Sequence, residues 1–380
     1  MTGDEAAIRR SFAAVCAELA RDVQGLDPAE ARRHAREIGI RSGFYGAAFP
    51  VESGGGGLPA RIAVRLREDA AASGVDAARY LLAGPDGPAW LLEAGTDAQR
   101  ATWQRPLVAG TLTRCVAMTE PDTGSALGSI ATTATRCAAG WRIDGRKYLV
   151  SNAAAAEVAI VLANAVGPGR HGPTYFVFGT DTPGWRVGRE LPGMHPGYQQ
   201  YEVELAGVEV PDSAVLGGAA LVGHGLAAAV EWLPYGRLGI AARAVGLATW
   251  ALRIARGHAR TRQLDGAPLE NKQHIREFLV RSHVRIVASR ALVAQAAEAL
   301  DAGRIATLEA AVAKLHATET ACAVIDDSMQ VLGGRGWLAE FGLEAAYREA
   351  RLFRVIDGTS EVQKETIFNL LPSESPEIGR

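Results

Sequence analysis

The chain of 380 residues predicts an α+β protein whose helices and strands are segregated. An N-terminal all-α domain is expected over residues 1–113, a central β-barrel-like domain over 114–218, and a C-terminal four-helix bundle over 219–380. Three observations lead there. Apolar residues recur at three- and four-residue spacing up to about Trp103. Near Thr111 that period gives way to short β-branched and aromatic runs separated by Gly, Pro and Asp. After about Leu216 the helical period returns and persists. Helices, then strands, then long helices exclude the alternating order of a Rossmann sheet.

Each region carries its own signals. In "DPAEARRHAREIGI", Asp27 is placed as N-cap with Pro28 at the first helical position. The glycine run in "FPVESGGGGLP" lacks the Lys-Ser/Thr of a phosphate loop, so a flexible connector is expected. The strand runs are "TATRC", "WRIDGRKYLVS", "EVAIVLANA", "PTYFVFGTD", "GWRVGREL" and "QYEVELAGVEV". In the bundle, Leu308, Val312, Leu315, Cys322, Ile325, Met329 and Leu332 repeat at helical spacing, with Gly333 and Gly334 as the stop.

Composition narrows the function. With 40 basic against 42 acidic residues and no long run of either sign, the surface is not marked for nucleic acid or anionic membrane, and small molecules are the expected partners. Cys16, Cys115, Cys137 and Cys322 form no CxxC or Cys/His cluster, so neither disulfides nor a zinc site is expected. The start "MTGDEAAIRRSF" carries charges where a signal peptide needs an apolar run, and no segment is read as crossing a bilayer. A cytoplasmic location is expected. No metal is expected either: the eight histidines show no ligand spacing, and His195 is given no role.

Two stretches carry chemistry. In "MTEPDTGS", Thr119 and Ser125 supply hydroxyls, while Pro121 and Gly124 bend the chain so that backbone N–H groups can face an acceptor-rich ring edge. In "FRVIDGTSEVQ", Asp357 is either a catalytic base or an ordinary turn or cap acid, and the tripeptide alone leaves both open.

The motifs "AMTEPDTGSALGS", "IDGRKYLVSNA", "RLGIAARAVG", "QVLGGRGW" and "YREARLFRVIDGTSEVQ" occur in one order at domain-length spacing. Together they resemble the acyl-CoA dehydrogenase family of flavoproteins over most of the chain. The resemblance implies FAD as cofactor. It places Met118, Thr119, Gly124 and Ser125 beside the flavin, with Ser125 also near the pantetheine arm. Leu149 falls where an aromatic ring usually faces the flavin, and Ser151 keeps the hydroxyl directed at N5. Arg262 and Gln273 would reach the FAD of a neighbouring subunit, which implies a homodimer or homotetramer. Gln330, Gly333 and Gly334 would approach the adenosine half and Thr359 the phosphates, with Glu361 also counted among the cofactor-binding residues. Asp357 would be the base, with Arg237, Gly358 and Ser125 contacting substrate.

The implied activity is dehydrogenation of an acyl-CoA or acyl-carrier-protein thioester, with α-proton abstraction and β-hydride transfer to flavin N5. Electron-transfer flavoprotein is the expected acceptor and a biosynthetic pathway the expected setting. The chain departs from the family pattern at Ala126, at Leu149, at Asp265 where Phe is usual, and at Asp357, one methylene shorter than the usual Glu. Gly236, at the family's other position for the base, carries no acid, leaving Glu231 as a displaced alternative and as an ion-pair partner for Arg237. A flavin-dependent monooxygenase on the same architecture, or a silent flavin-binding or assembly homologue, are the rival expectations.

Overall fold

A computed structural model of the chain describes residues 3–84, 90–167 and 171–371. Helices come first: α1 (Gly3–Asp22), α2 (Pro28–Arg41), α3 (Ala60–Ala72) and the short α4 (Asp97–Gln99) and α5 (Arg105–Ala109). Helix α2 begins where its sequence says, because the Asp27 carboxylate accepts from Ala29 N at 2.8 Å and Glu30 N at 2.9 Å. Helix α3 follows Pro59 and is capped from outside: Asp301, remote in sequence, accepts from Ala60 N at 2.6 Å and Arg61 N at 3.2 Å. The glycine run before α3 is not the flexible connector expected. Gly57 N donates to Phe49 O at 2.8 Å, and a Cβ on Gly55 would lie 2.2 Å from that same oxygen. These glycines are needed because two backbone segments touch.

Seven strands form one curled sheet: β1 (Arg114–Ala117), β2 (Thr133–Cys137), β3 (Gly140–Ser151), β4 (Val158–Val166), β5 (Gly172–Gly179), β6 (Trp185–Glu190) and β7 (Gln200–Val210). Strand β4 is flanked by antiparallel β5 on one edge and by parallel β1 and β2, end to end, on the other. This central placement explains its unbroken apolar run, since residues 158 to 163 are all buried. The four-residue β1 was not among the expected runs. It is too short for alternation to show.

The remaining elements are α6 (Gly225–Val230), α7 (Leu233–Thr261), a hairpin of β8 (Gln263–Leu264) and β9 (Ala267–Pro268), α8 (Gln273–Asp301), α9 (Thr307–Leu332), α10 (Leu343–Phe353) and α11 (Ser360–Leu370). Helix α7 is long and apolar enough to cross a membrane, contrary to the expectation that no segment would be. With 67% of that window buried inside the protein, it is the core helix of the bundle. It packs on α9 through methyl groups: Ala241, Ala244, Ala248, Ala251 and Ala255 on α7 and Ala310, Ala313, Ala317 and Ala321 on α9 are wholly buried. The large residues expected to form the inner stripe of α9 sit differently. Ile325 and Leu332 are buried, but Leu308, Val312, Leu315, Cys322 and Met329 are only half-buried on its flanks. Close approach of two helix backbones favours small side chains in the seam.

One ionic cluster ties the three regions together. Arg243 of α7 donates to Glu349 of α10 at 2.6 Å and to the Tyr198 hydroxyl at 2.5 Å, and that hydroxyl donates to Glu349 at 3.0 Å. From the N-terminal helices, Arg79 lies 3.5 Å from Glu349, pairs with Asp76 and donates to Gly197 O at 3.0 Å. Burial would raise the Glu349 carboxyl, yet Arg243 and Arg79 hold it below its ordinary value. His195 belongs to this cluster, accepting from Gly197 N at 3.0 Å, so it has a structural role that its sequence context did not show. Asp76, His195 and Glu349 are close enough to hold a cation, but two guanidinium groups already occupy that field.

The seam predicts a stability effect. Ala317→Leu should overpack it and destabilise the protein by about 1–3 kcal/mol, read as a lower urea midpoint.

Candidate active site

The turn between α10 and α11 sets the site. Asp357 (φ 51°) and Gly358 (φ 87°) are consecutive residues in the left-handed region, where only glycine is at ease. A Cβ at residue 358 would lie 2.6 Å from Gln363 Nε2. That amide donates to Asp357 O at 3.1 Å and Gly358 O at 3.0 Å, and Lys314 Nζ donates to Gly358 O at 2.7 Å. The cap of α11 is Thr359, whose Oγ1 accepts from Val362 N at 3.2 Å. Glu361 lies in the first turn and is held below the ordinary carboxylate range by a backbone hydrogen bond and by Thr359. The Asp357 carboxylate accepts no hydrogen bond from the described residues. The question the sequence left open is thus narrowed: capping is done by Thr359, and Asp357 is a free acid.

Two opposing effects act on it. Asp357 stands in an open cleft, reachable by water yet surrounded by protein mass. Desolvation raises its carboxyl, while Lys314, Arg114, Arg237 and Arg243 oppose the rise. Gly236 lies directly opposite: a Cβ there would be 3.4 Å from Asp357 Oδ2. The two positions considered for the acid therefore converge on one point in space. Arg237 is buried, and among the described residues its Nε and Nη1 have no partner. Burial lowers its pKa and Asp357 counters. No ion pair joins it to Glu231, which is exposed at the end of α6.

The strand side is rigid for a reason sequence reading missed. Glu120, buried inside "MTEPDTGS", accepts from Ala131 N at 2.6 Å, Thr132 N at 2.9 Å and Lys147 Nζ at 2.9 Å. Lys147, fully buried on β3, also donates to Met118 O at 3.0 Å, and Tyr148 N donates to Thr119 O at 2.8 Å. The signal was present as an acid and a lysine within two motifs that agree with one family. Beyond this anchor the loop turns outward and Ser125 is exposed. Gly124 has open space around it and no left-handed φ, so the bend expected there does not require glycine.

On β3 the pairing with β7 slips between Lys147 and Val150. In that bulge Leu149 takes φ 56° and stays 43% exposed, a costly conformation for a bulky residue. It displays a side chain outside the sheet, with Ser151 two residues on and half-buried. The remaining candidates lie at one end of the bundle. Arg262 closes α7, Gln273 opens α8, and Gln330, Gly333 and Gly334 end α9, all exposed. Arg262 and Arg335 of the glycine turn both bear on His258, which desolvation and those two charges lower. They form a cationic end suited to phosphate. Asp265, standing where the family usually has Phe, pairs with Lys272 at 2.8 Å.

This frame and cleft define a class: a protein of helices, curled sheet and helices, with an acid faced by cations from the bundle and from β1. The comparisons agree over the whole chain. The N-terminal, middle and C-terminal domain models of acyl-CoA dehydrogenase match residues 2–111, 115–208 and 223–371. The 3-(aryl)acrylate reductase of Clostridium sporogenes is 33% identical over 87% of this chain and 88% of its own length. The caffeyl-CoA reductase–Etf complex subunit CarC of Acetobacterium woodii is 31% identical over 87% of both. The solved butyryl-CoA dehydrogenase of Megasphaera elsdenii superposes with a TM-score of 0.83 at 29% identity, covering 97% of this chain and 98% of that one. The chain belongs to the acyl-CoA dehydrogenase family, FAD-dependent oxidoreductases that act on CH–CH groups of acyl thioesters.

The residues present fit that cofactor: an outward Leu149, unpartnered Arg237 donors and a cationic bundle end are groups the chain's own packing leaves unused. Two outcomes follow. Glu120→Gln should leave Lys147 buried without its counter-charge and destabilise the protein by about 3–5 kcal/mol, measured by urea unfolding. Asp357→Asn should do the opposite at neutral pH. An acid whose folded pKa is raised costs stability above that pKa and nothing below its unfolded value, about 3.9. The gain from Asn should therefore vanish as unfolding is followed from pH 7 to below pH 4.

Proposed function

We propose that this enzyme dehydrogenates an acyl thioester with Asp357 as the base that removes the α-proton. The observation that carries the proposal is a carboxylate with no hydrogen bond from the described residues, raised by desolvation and facing a glycine that leaves room beside it. Closure of the cleft by the acyl group would strip water from Asp357 and raise its proton affinity further, toward the range useful to a general base. The proton would pass to a carboxylate oxygen of Asp357. Lys314, Arg237, Arg243 and Arg114 would face the negative charge left on the thioester enolate. Bound FAD supplies the acceptor for the hydride that leaves the β-carbon.

Ser125, Gly358 and Arg237 are the proposed contacts to substrate; Arg237 has unused buried donors to offer. Met118, Thr119, Gly124, Ser125, Leu149, Ser151, Thr359 and Glu361 are proposed to line the FAD site, with Gln330, Gly333 and Gly334 at the adenosine half, while Arg262 and Gln273 serve a neighbour's FAD. The acyl group would extend toward a cavity of about 210 Å³ bordered by Val64, Arg67, Trp90, Tyr235, Leu238 and Gly239. Gly239 stands one helical turn beyond Gly236, and Trp90 stacks on Tyr235 with ring centroids 4.0 Å apart. A short or single-ring acyl group suits such walls. Relatives acting on arylacrylate and caffeyl-CoA, by their names, support the ring.

The carrier is coenzyme A or an acyl-carrier protein, and the proposed electron partner is electron-transfer flavoprotein, supported by the relative named as part of an Etf complex. A homodimer or homotetramer is proposed. Val280, Val284 and Val287 form an exposed apolar stripe on α8, at 61%, 60% and 46%. Four unpaired cysteines support a cytoplasmic location.

The test is anaerobic bleaching of the flavin across a panel of acyl thioesters. The parent should bleach with at least one, and Asp357→Asn should bind it yet slow bleaching by about a hundredfold or more. Asp357→Glu should retain bleaching with straight-chain acyl-CoA. Bleaching by the Asn variant at the parent rate would remove Asp357 as the base.

A further inference from the structure

Lys314 is a lysine in an alanine core. It is fully buried on α9, with Ala310, Ala311, Ala313 and Ala317 around it equally closed to water. Among the described residues no acid lies within ion-pair distance of it, and its hydrogen bond is to the Gly358 carbonyl at 2.7 Å. An ammonium in such a place is costly unless something specific compensates it. The groups facing Lys314 are Asp357, Arg237, Glu319 and Glu361. Glu319 is already engaged, accepting from Arg354 at 2.9 Å and from the Ser360 hydroxyl at 2.6 Å, and Glu361 lies on the first turn of α11. Asp357 heads the charges that oppose the effect of burial on Lys314, and Lys314 heads those that oppose it on Asp357, ahead of Arg114, Arg237 and Arg243.

The backbone gives the second half of the argument. Asp357 and Gly358 hold positive φ angles, which cost energy for the aspartate and must be enforced from outside. Enforcement comes from two buried side chains: Gln363 grips both carbonyls of the turn, and Lys314 grips that of Gly358. One atom, Lys314 Nζ, therefore acts on both the direction of the turn and the field at its carboxylate.

We propose that Lys314 is a positioning residue of this site: its ammonium clamps the Asp357–Gly358 turn through the Gly358 carbonyl and presents a fixed positive charge to the Asp357 carboxylate, keeping it able to accept a proton. The inference rests on the reading of Asp357 as the base. It assigns Lys314 no contact with substrate.

The test reads the carboxylate itself. Infrared difference titration of the FAD-loaded enzyme without substrate, with the Asp357 band identified by its loss in Asp357→Asn, gives the protonation midpoint of Asp357. Two variants remove the charge: Lys314→Met also removes the hydrogen bond, whereas Lys314→Gln keeps a donor. Both should raise the midpoint by about one pH unit or more, a tenfold gain in proton affinity. Lys314→Arg should leave it near the parent value. The parent carries its own signature. Burial pushes the Lys314 ammonium down to about 8, so the Asp357 carboxylate band should shift again near that pH as the lysine loses its proton.

An unchanged midpoint in the charge-free variants overturns the proposal, and so does a parent Asp357 band that stays unmoved as Lys314 itself loses its proton; the parent measurement decides even where a variant does not fold. Failure of the base assignment looks different. Flavin bleaching by Asp357→Asn at the parent rate would remove the base while the coupling of the two titrations stood.

Discussion

A buried carboxylate, Glu349, fixes the relation among the three regions of this molecule. It takes Arg243 from α7, the Tyr198 hydroxyl from the sheet region and the approach of Arg79 from the N-terminal helices. The cleft lies where those regions meet, and Arg243 is also one of the charges felt by Asp357. The cluster is therefore both a joint and a source of field. A purely apolar joint of the same volume could be as stable, but it would not fix direction through hydrogen bonds, nor set a guanidinium near the acid.

The site itself runs against the habits of a relaxed fold. Two consecutive residues have left-handed backbones, a leucine in a strand does too, a buried guanidinium has two nitrogens without acceptors among the described residues, and a lysine sits among alanines. Departures of this kind persist where surrounding structure over-determines them, and they gather where a ligand completes the arrangement. Here Asp357, Arg237 and Lys314 stand together on the helical side, and Leu149 is the departure on the sheet.

Much of this was legible in the sequence because it is local. The Asp27 cap, the end of α9 at Gly333, six of the seven strands of the large sheet and the order of the layers follow from spacing and turn chemistry within a few residues. What stayed hidden joins distant residues or depends on burial. Nothing in "MTEPDTGS" says that Glu120 will meet Lys147, nor does "AKLHA" mark Lys314 as the partner of a turn more than forty residues on. The glycine run was misread because a glycine needed for close contact and one needed for flexibility look alike. The inner stripe of α9 was misassigned because large apolar residues signal a buried face more loudly than the alanines that form it. Asp265 pairs with Lys272, seven residues on and across the β8–β9 hairpin, which the local sequence did not show.

The alanine seam between α7 and α9 has a consequence for how such a protein can diversify. Helices in contact through methyl groups have no side-chain volume left to trim, so neither can retreat to admit a bulkier guest. The opposite wall, where Val64, Arg67 and Trp90 project, has side chains to spare. Descendants of this chain that take up new molecules should accumulate their changes on the N-terminal wall while the paired helices stay as they are.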